Sequence, residues 1–230
     1  MRSHLWRALA RNGADPNDRS TCSPDKATNL QAIRFADPAP GDSPVIRETL
    51  DEVFGAGTWA EPKHWGQALV TFPSRQEWTL PTRLWHLDYP YWFPTNAVWG
   101  ANLFLFVADV APCGGGTLVV RSSHRVITRF VASVDSINTR SQKVLRQMFD
   151  ARHKWFQDLT SDSGADRVQR FMGKDTEVEG IPVRVVELTG QAGDAVLCHP
   201  WLVHASSQNT LDAARLMRAC RIHRSRAHGS

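Results

Sequence analysis

Apolar residues recur along this chain with two different periods, and the switches between them organise it. In the opening stretch, MRSHLWRALARNGADP, Leu5, Trp6 and Leu9 fall on one side of a helix. DSPVIRETLDEVFG (42–55) predicts a second helix, with Ser43 at its N-cap, Pro44 in its first turn and Gly55 as its stop. The Pro-, Asp-, Gly- and Ser-rich residues between them predict a winding surface segment. Strand-like patterns then take over. QALVTFP (67–73), TRLWHLD (82–88) and the long apolar run WGANLFLFVADV (99–110) predict strands. CGGGTLVVRSSHR (113–125) predicts a glycine turn, a short buried strand and a polar turn. From about residue 139 the helical period returns. In TRSQKVLRQMFDARHKWFQDL (139–159), Val144, Leu145, Met148, Phe149, Trp155 and Phe156 sit near helical spacing, and a shorter helix is expected over 165–172. IPVRVVEL (181–188), DAVLCHPWLVHAS (194–206) and RLMRACRIH (215–223) predict the closing strands.

This order predicts a mainly β fold with helical additions: a sandwich or jelly-roll core in a single domain. Residues 1–64 would form a helical and irregular N-terminal segment, and 65–132 and 181–223 the jelly-roll strands. Residues 133–180 would form a helical insertion, either packed on the core or acting as a lid over its mouth.

Composition narrows the class. The chain has 230 residues, 42% apolar and 22% charged, which suits a globular fold with a substantial core. No apolar run approaches the roughly 20 residues that span a membrane. The first residues lack the apolar region and cleavage site of a secretory leader. Cys22, Cys113, Cys198 and Cys220 are far apart and form no CxxC pair, so free thiols in a reducing cytoplasm are expected. The net charge of +4 is small, and basic residues cluster only in RLMRACRIHRSRAHGS, a weak basis for a nucleic-acid partner.

The candidate chemistry lies in TRLWHLDYPYWFP (82–94). On a strand, His86 and Asp88 share a face and can offer one imidazole nitrogen and one carboxylate oxygen to a single ion. Two histidines and a carboxylate on one face of an octahedron leave three adjacent positions open, the arrangement of non-haem Fe(II) oxygenases. Alone, the pair reads equally well as a hydrogen-bonded structural contact. In GDAVLCHPWLVHASSQNT (193–210), His199 and His204 face opposite sides of a regular strand, so only one can look inward. Gly114–Gly116 precede neither a lysine nor a helix, so they predict a strand-entry turn rather than a phosphate loop. The aromatics from Trp85 to Trp99 divide between core and cavity wall, with Tyr91 and Trp92 as candidate substrate contacts.

The chain resembles the phytanoyl-CoA dioxygenase-like family of Fe(II)/2-oxoglutarate oxygenases. It carries His86-Leu87-Asp88, the block Gly116-Thr117-Leu118-Val119-Val120-Arg121-Ser122-Ser123-His124-Arg125, and His204-Ala205-Ser206-Ser207-Gln208-Asn209 with Arg215 eleven residues after His204. The resemblance implies a double-stranded β-helix (jelly-roll, cupin-like) core. It implies His86, Asp88 and His204 as ligands of Fe(II), with 2-oxoglutarate and O2 as co-substrates. Arg215 would pair with the distal carboxylate of 2-oxoglutarate, assisted by Ser206, and Thr117 would border that pocket. His199 is the rival distal ligand, and Arg218 and Arg221 are rivals to Arg215.

Such an enzyme converts 2-oxoglutarate to succinate and CO2 while oxidising a C–H bond. Asp88 in the carboxylate position favours hydroxylation over halogenation. The expected substrate is a small molecule, apolar or cyclic given the aromatic surroundings. One departure stands out: the family's Pro-Gly before Ser-His-Arg is Arg121-Ser122 here. The alternative from another class is a cupin-like protein that binds a metal or ligand without redox turnover.

Overall fold

The computed structural model describes residues 1–27, 39–62, 64–74, 76–93, 98–161, 164 and 166–225. Among the described residues, nine strands form two antiparallel sheets. The larger sheet is ordered β1-β9-β3-β7, with β2 also on β9. Its strands are β1 (Trp59–Ala60), β2 (Gln67–Thr71), β3 (Gly100–Phe106), β7 (Ala195–Cys198) and β9 (Arg215–Arg224). The smaller sheet is ordered β5-β6-β4-β8, from β5 (Thr176–Val178), β6 (Ile181–Glu187), β4 (Leu118–Arg121) and β8 (His204–Ala205). The jelly roll is not closed into a barrel.

Alternation along each strand decides what the sheets carry on each face. In β9, Leu216, Cys220 and Ile222 face outward. There, α1 (Arg2–Arg11) covers Leu216, Ala68 and Phe72 with Leu5 and Leu9. Next to it, α2 (Pro44–Phe54) covers Ala101, Leu103, Cys220 and Ile222 with Leu50 and Phe54. The opposite face of the sheet presents Phe104, Phe106, Met217 and Cys198 to the interior. β3 is therefore buried along its whole length, as a central strand covered on both faces must be. The smaller sheet packs Leu118, Val120, Val183 and Val185 against four further helices. These are α3 (Ser123–Ala132), α4 (Gln142–Arg152), α5 (Lys154–Ser161) and α6 (Arg167–Met172).

Four local expectations change. TRLWHLD is not a strand. It is an irregular segment with one bridging residue, His86, and it turns through a left-handed Leu84 at φ 73°. Buried aromatic groups hold it instead. Trp85 Nε1 donates to Pro81 O at 2.8 Å, and Tyr89 Oη to Ile222 O at 3.0 Å. The predicted strand 194–206 breaks after Cys198, and its two parts, β7 and β8, join different sheets. Pro200 cannot donate to a ladder, which explains the break.

The polar turn expected at Ser123 is the start of α3, so the helical stretch begins before residue 133 and also encloses β5. The long helix 139–159 is two helices divided at His153. Smaller details also differ. Ser43 occupies the N-cap of α2 without a side-chain capping bond, and Gly55 ends that helix at φ 94°. The far end of the basic tail, residues 226–230, lies outside the described residues. No described helix is long and apolar enough to cross a membrane.

Candidate metal centre

His86 comes from the irregular segment and His204 from β8, and the two are joined by main chain. His86 N donates to His204 O at 2.9 Å, and His204 N to His86 O at 3.1 Å. β8 is fixed in turn by β4, where Val119 stands opposite His204. Asp88 follows His86 by two residues and turns back toward both rings. Its Oδ2 lies 3.4 Å from His204 Nε2 and its Oδ1 3.9 Å from His86 Nε2. One ligand atom from each of the three residues lies within 4.8 Å of the others. The expectation of a shared strand face was the wrong reason for the right proximity: a bridge and a bend place the pair.

The orientation of both rings suits metal binding. His86 Nδ1 faces Leu84 O at 2.6 Å, and His204 Nδ1 faces Leu202 O at 2.9 Å. A carbonyl accepts only, so each Nδ1 carries the hydrogen. Each Nε2 then has its lone pair free on the side of Asp88. The side chains are graded in exposure, 52% for His86, 20% for Asp88 and 7% for His204. Burial, then the neighbouring His204, holds His86 below the ordinary imidazole pKa. Burial alone would raise Asp88, but a protonated His204, which donates to it and attracts it, outweighs that together with Arg221 and His86, and Asp88 lies below the usual carboxylate value. A neutral imidazole at His86 and an ionised carboxylate at Asp88 are the states in which those two groups bind a divalent cation.

His199 does not join this cluster. Its Nδ1 accepts from Trp201 N at 3.0 Å, and its ring stacks on His124 at 4.8 Å. Arg215 is buried at the inner end of β9. Its Nε donates to Gly115 O at 2.7 Å and its Nη2 to Thr71 Oγ1 at 2.7 Å, with Leu69 O 3.4 Å from Nη1. All three acceptors are neutral. Burial pulls the guanidinium pKa down to about 10, countered in part by Glu187, so an arriving carboxylate would offset a real desolvation cost.

Arg218 lies on the opposite face of β9 and is buried, whereas Arg221 shares the face of Arg215 and reaches Asp88 Oδ1 at 3.8 Å. Thr117 is buried beside β4. Ser206 is exposed, and the hydroxyl held inside the fold is that of Ser207, which donates to Gly116 O at 2.8 Å.

Asn209, the last residue of the distal motif, and Glu187, which no motif marks, hold this end together. Asn209, fully buried, donates from Nδ2 to Thr71 O and Ala213 O and accepts from Leu211 N. It therefore ties the end of β2 to the turn that enters β9 at Arg215. Glu187 accepts from Cys113 N at 2.7 Å and Gly116 N at 2.9 Å, clasping the glycine turn. Gly115 has φ 83°, and a Cβ there would lie 2.9 Å from that of Asn209.

The sequence profile of the phytanoyl-CoA dioxygenase family matches residues 8–217. The chain belongs to that family. That is a family of Fe(II)/2-oxoglutarate oxygenases, and the His86–Asp88–His204 cluster is a donor set of the kind that such chemistry requires. No curated protein sequence matches the chain.

Among solved structures, the non-heme monooxygenase ThoJ is 16% identical over 97% of this chain and 70% of its own, with a TM-score of 0.48. The non-heme alpha ketoglutarate dependent carbocyclase SnoK from nogalamycin biosynthesis is 16% identical over 96% and 72%, with a TM-score of 0.47. EvdMO1 is 17% identical over 79% of this chain, which spans only 31% of EvdMO1, with a TM-score of 0.44.

A cavity of about 660 Å³ opens at the exposed side of the cluster. His86, Asp88 and Tyr91 line it on one side, Gln142, Arg146 and Asp150 of α4 on the other. Tyr91 is mostly core, packed edge-on to Phe130 at 5.9 Å, whereas Trp92 is exposed.

Proposed function

We propose that this chain oxidises a C–H bond of a small organic molecule, with hydroxylation as the outcome and 2-oxoglutarate converted to succinate and CO2. The observation that carries the reading is the shared orientation of His86 and His204. Each anchors Nδ1 on a carbonyl two residues earlier in the chain and turns Nε2 toward Asp88. A merely structural His–Asp contact has no need of two such anchors.

His86, Asp88 and His204 would hold Fe(II). Bound there, Fe(II) supplies the redox chemistry that couples O2 to decarboxylation of the 2-oxo acid. Arg215 would take the distal carboxylate of 2-oxoglutarate, because a buried guanidinium whose hydrogen bonds go to neutral acceptors, with Glu187 as its nearby charge, favours an anion. Thr71, already bonded to Arg215, stands where a helping hydroxyl was expected from the exposed Ser206. Thr117 would border the same pocket. The helices of the 133–180 stretch would wall the substrate cavity through α4.

The test is anaerobic addition of Fe(II) and 2-oxoglutarate. A weak visible charge-transfer band is expected, followed by succinate release when O2 and a substrate are supplied. No band, together with zinc bound as isolated, would favour a non-redox cupin-like protein.

A further inference from the structure

Asn102 lies on β3 between Arg221 of β9 and Cys198 of β7, in register with both. Its residue is only 3% exposed, and among the described residues neither its Oδ1 nor its Nδ2 has a hydrogen-bond partner. A buried amide left unpaired at both ends is uncommon, since burial takes away the water that would satisfy it. It borders a second cavity, of about 290 Å³, whose other walls include Asp88, Gln67, Phe104 and Arg221. Arg221 is 57% exposed along its side chain and touches only the edge of Asp88, at 3.8 Å.

We propose that this cavity is a subsite for a carboxylate of the substrate, held by the Arg221 guanidinium and the Asn102 amide beside the metal cluster. The proposal rests on the oxygenase reading for its meaning as a substrate site, though not for the binding itself. A guanidinium fork matches a carboxylate in shape and charge. Asn102 adds one donor to the carboxylate and one acceptor for a hydroxyl or amine next to it. The substrate class is therefore a small carboxylic acid, more polar than the aromatic-rich segment suggests by itself.

The co-substrate is the other source of a carboxylate. Arg215 and Arg221 share a face of β9 but are six residues apart, about 20 Å along the strand at its usual rise. Met217 and Ala219 lie between them. A diacid seated on Arg215 that reaches the metal cluster ends beside Asp88, which the Arg221 guanidinium approaches at 3.8 Å, so the second arm of the test separates the two sources.

The first arm of the test needs neither metal nor co-substrate. Saturation-transfer NMR on the metal-free protein compares benzoate with its neutral methyl ester. Benzoate is expected to bind at least about tenfold tighter, a charge-assisted contact being worth that much. Arg221→Leu, a change at a half-exposed position that leaves folding intact, should erase the difference, and Asn102→Asp should do so by repulsion. Benzoate binding unchanged in Arg221→Leu overturns the subsite.

The second arm identifies the source. The anaerobic charge-transfer titration with 2-oxoglutarate should have the same midpoint, within about twofold, in wild type and Arg221→Leu. A tenfold weaker midpoint would assign the carboxylate to the co-substrate and overturn the substrate assignment. A wild-type protein with no band at all counts against the oxygenase reading, while the first arm still decides the subsite.

Discussion

His86 and His204 exchange both of their backbone hydrogen bonds, at 2.9 and 3.1 Å, although the segment carrying His86 is otherwise not a strand. The geometry of the candidate centre is thus set by main chain, and the side chains can be changed without moving it. His204→Ala or Asp88→Ala should weaken Fe(II) binding by about a hundredfold or more while leaving the thermal midpoint of the metal-free protein nearly unchanged. Competition against a chelator of known affinity measures the first, and circular dichroism the second. Retained Fe(II) affinity in both variants would remove the cluster from consideration.

Arg215 is tied to three acceptors in β2 and the glycine turn, so its removal has two consequences. Arg215→Ala should raise the 2-oxoglutarate concentration for half-saturation about 10–100-fold and also lower stability. Thr71→Val, which removes one hydroxyl from that set, should raise it by less, about threefold to tenfold. A normal 2-oxoglutarate requirement in Arg215→Ala would shift the role to another arginine.

Glu187 clasps the turn at Cys113 and Gly116 with both carboxylate oxygens. Burial raises its pKa despite those bonds. A carboxyl whose folded pKa is raised binds its proton more readily in the native state, so its contribution is lost as pH rises through that range. Glu187→Gln keeps one acceptor and places a donor where Cys113 N–H or Gly116 N–H points, at a cost of about 1–2 kcal/mol. Urea unfolding should show that loss, with a flatter slope against pH just above the ordinary carboxylate range. An identical unfolding midpoint would mean the clasp adds nothing.

Ser122 stands where the family has glycine, and it adopts the left-handed region at φ 62° to start α3. A side chain there costs about 1 kcal/mol that glycine avoids. Ser122→Gly should raise the melting temperature by about 2–4 °C in a chain of this size. A lower melting temperature would show that the hydroxyl contributes more than the backbone strain costs.

His199, stacked on His124, has its pKa lowered to about 4 by burial and then by the charge of His124. Its folded pKa lies below the ordinary value of 6.5, so the unfolded chain takes up the proton first. The stability it contributes is complete above about pH 6.5 and lost as pH falls toward 4. His199→Gln should flatten the fall in melting temperature across that window. Superimposable profiles for variant and wild type would rule the pair out as its source.

Much of this was legible in the chain itself. Apolar strand patterns located β2, β3 and β9, spacing paired His86 with Asp88, and the family resemblance singled out His204 and Arg215. The failures are tertiary. Val126, Ile127, Phe130 and Val131 form the apolar stripe of α3, but the Ser-Ser-His-Arg before them reads as a turn until the smaller sheet is there to receive the stripe. The His86 segment alternates like a strand, yet its aromatic anchors bend it into place. Asn102 is one polar residue in an apolar run, and only its neighbours on two other strands show that it lacks a partner.

The break between β7 and β8 has a mechanical consequence. β7 belongs to one sheet and β8, which carries His204, to the other. The segment bearing His86 and Asp88 is anchored on the larger sheet through Tyr89. An ion shared by the three residues is a further fastener between two layers already tied by the His86–His204 bridge, by Asn209 and by Arg215. Loading the metal should therefore stiffen the whole sandwich, with slowed amide exchange reaching strands that never touch the ion.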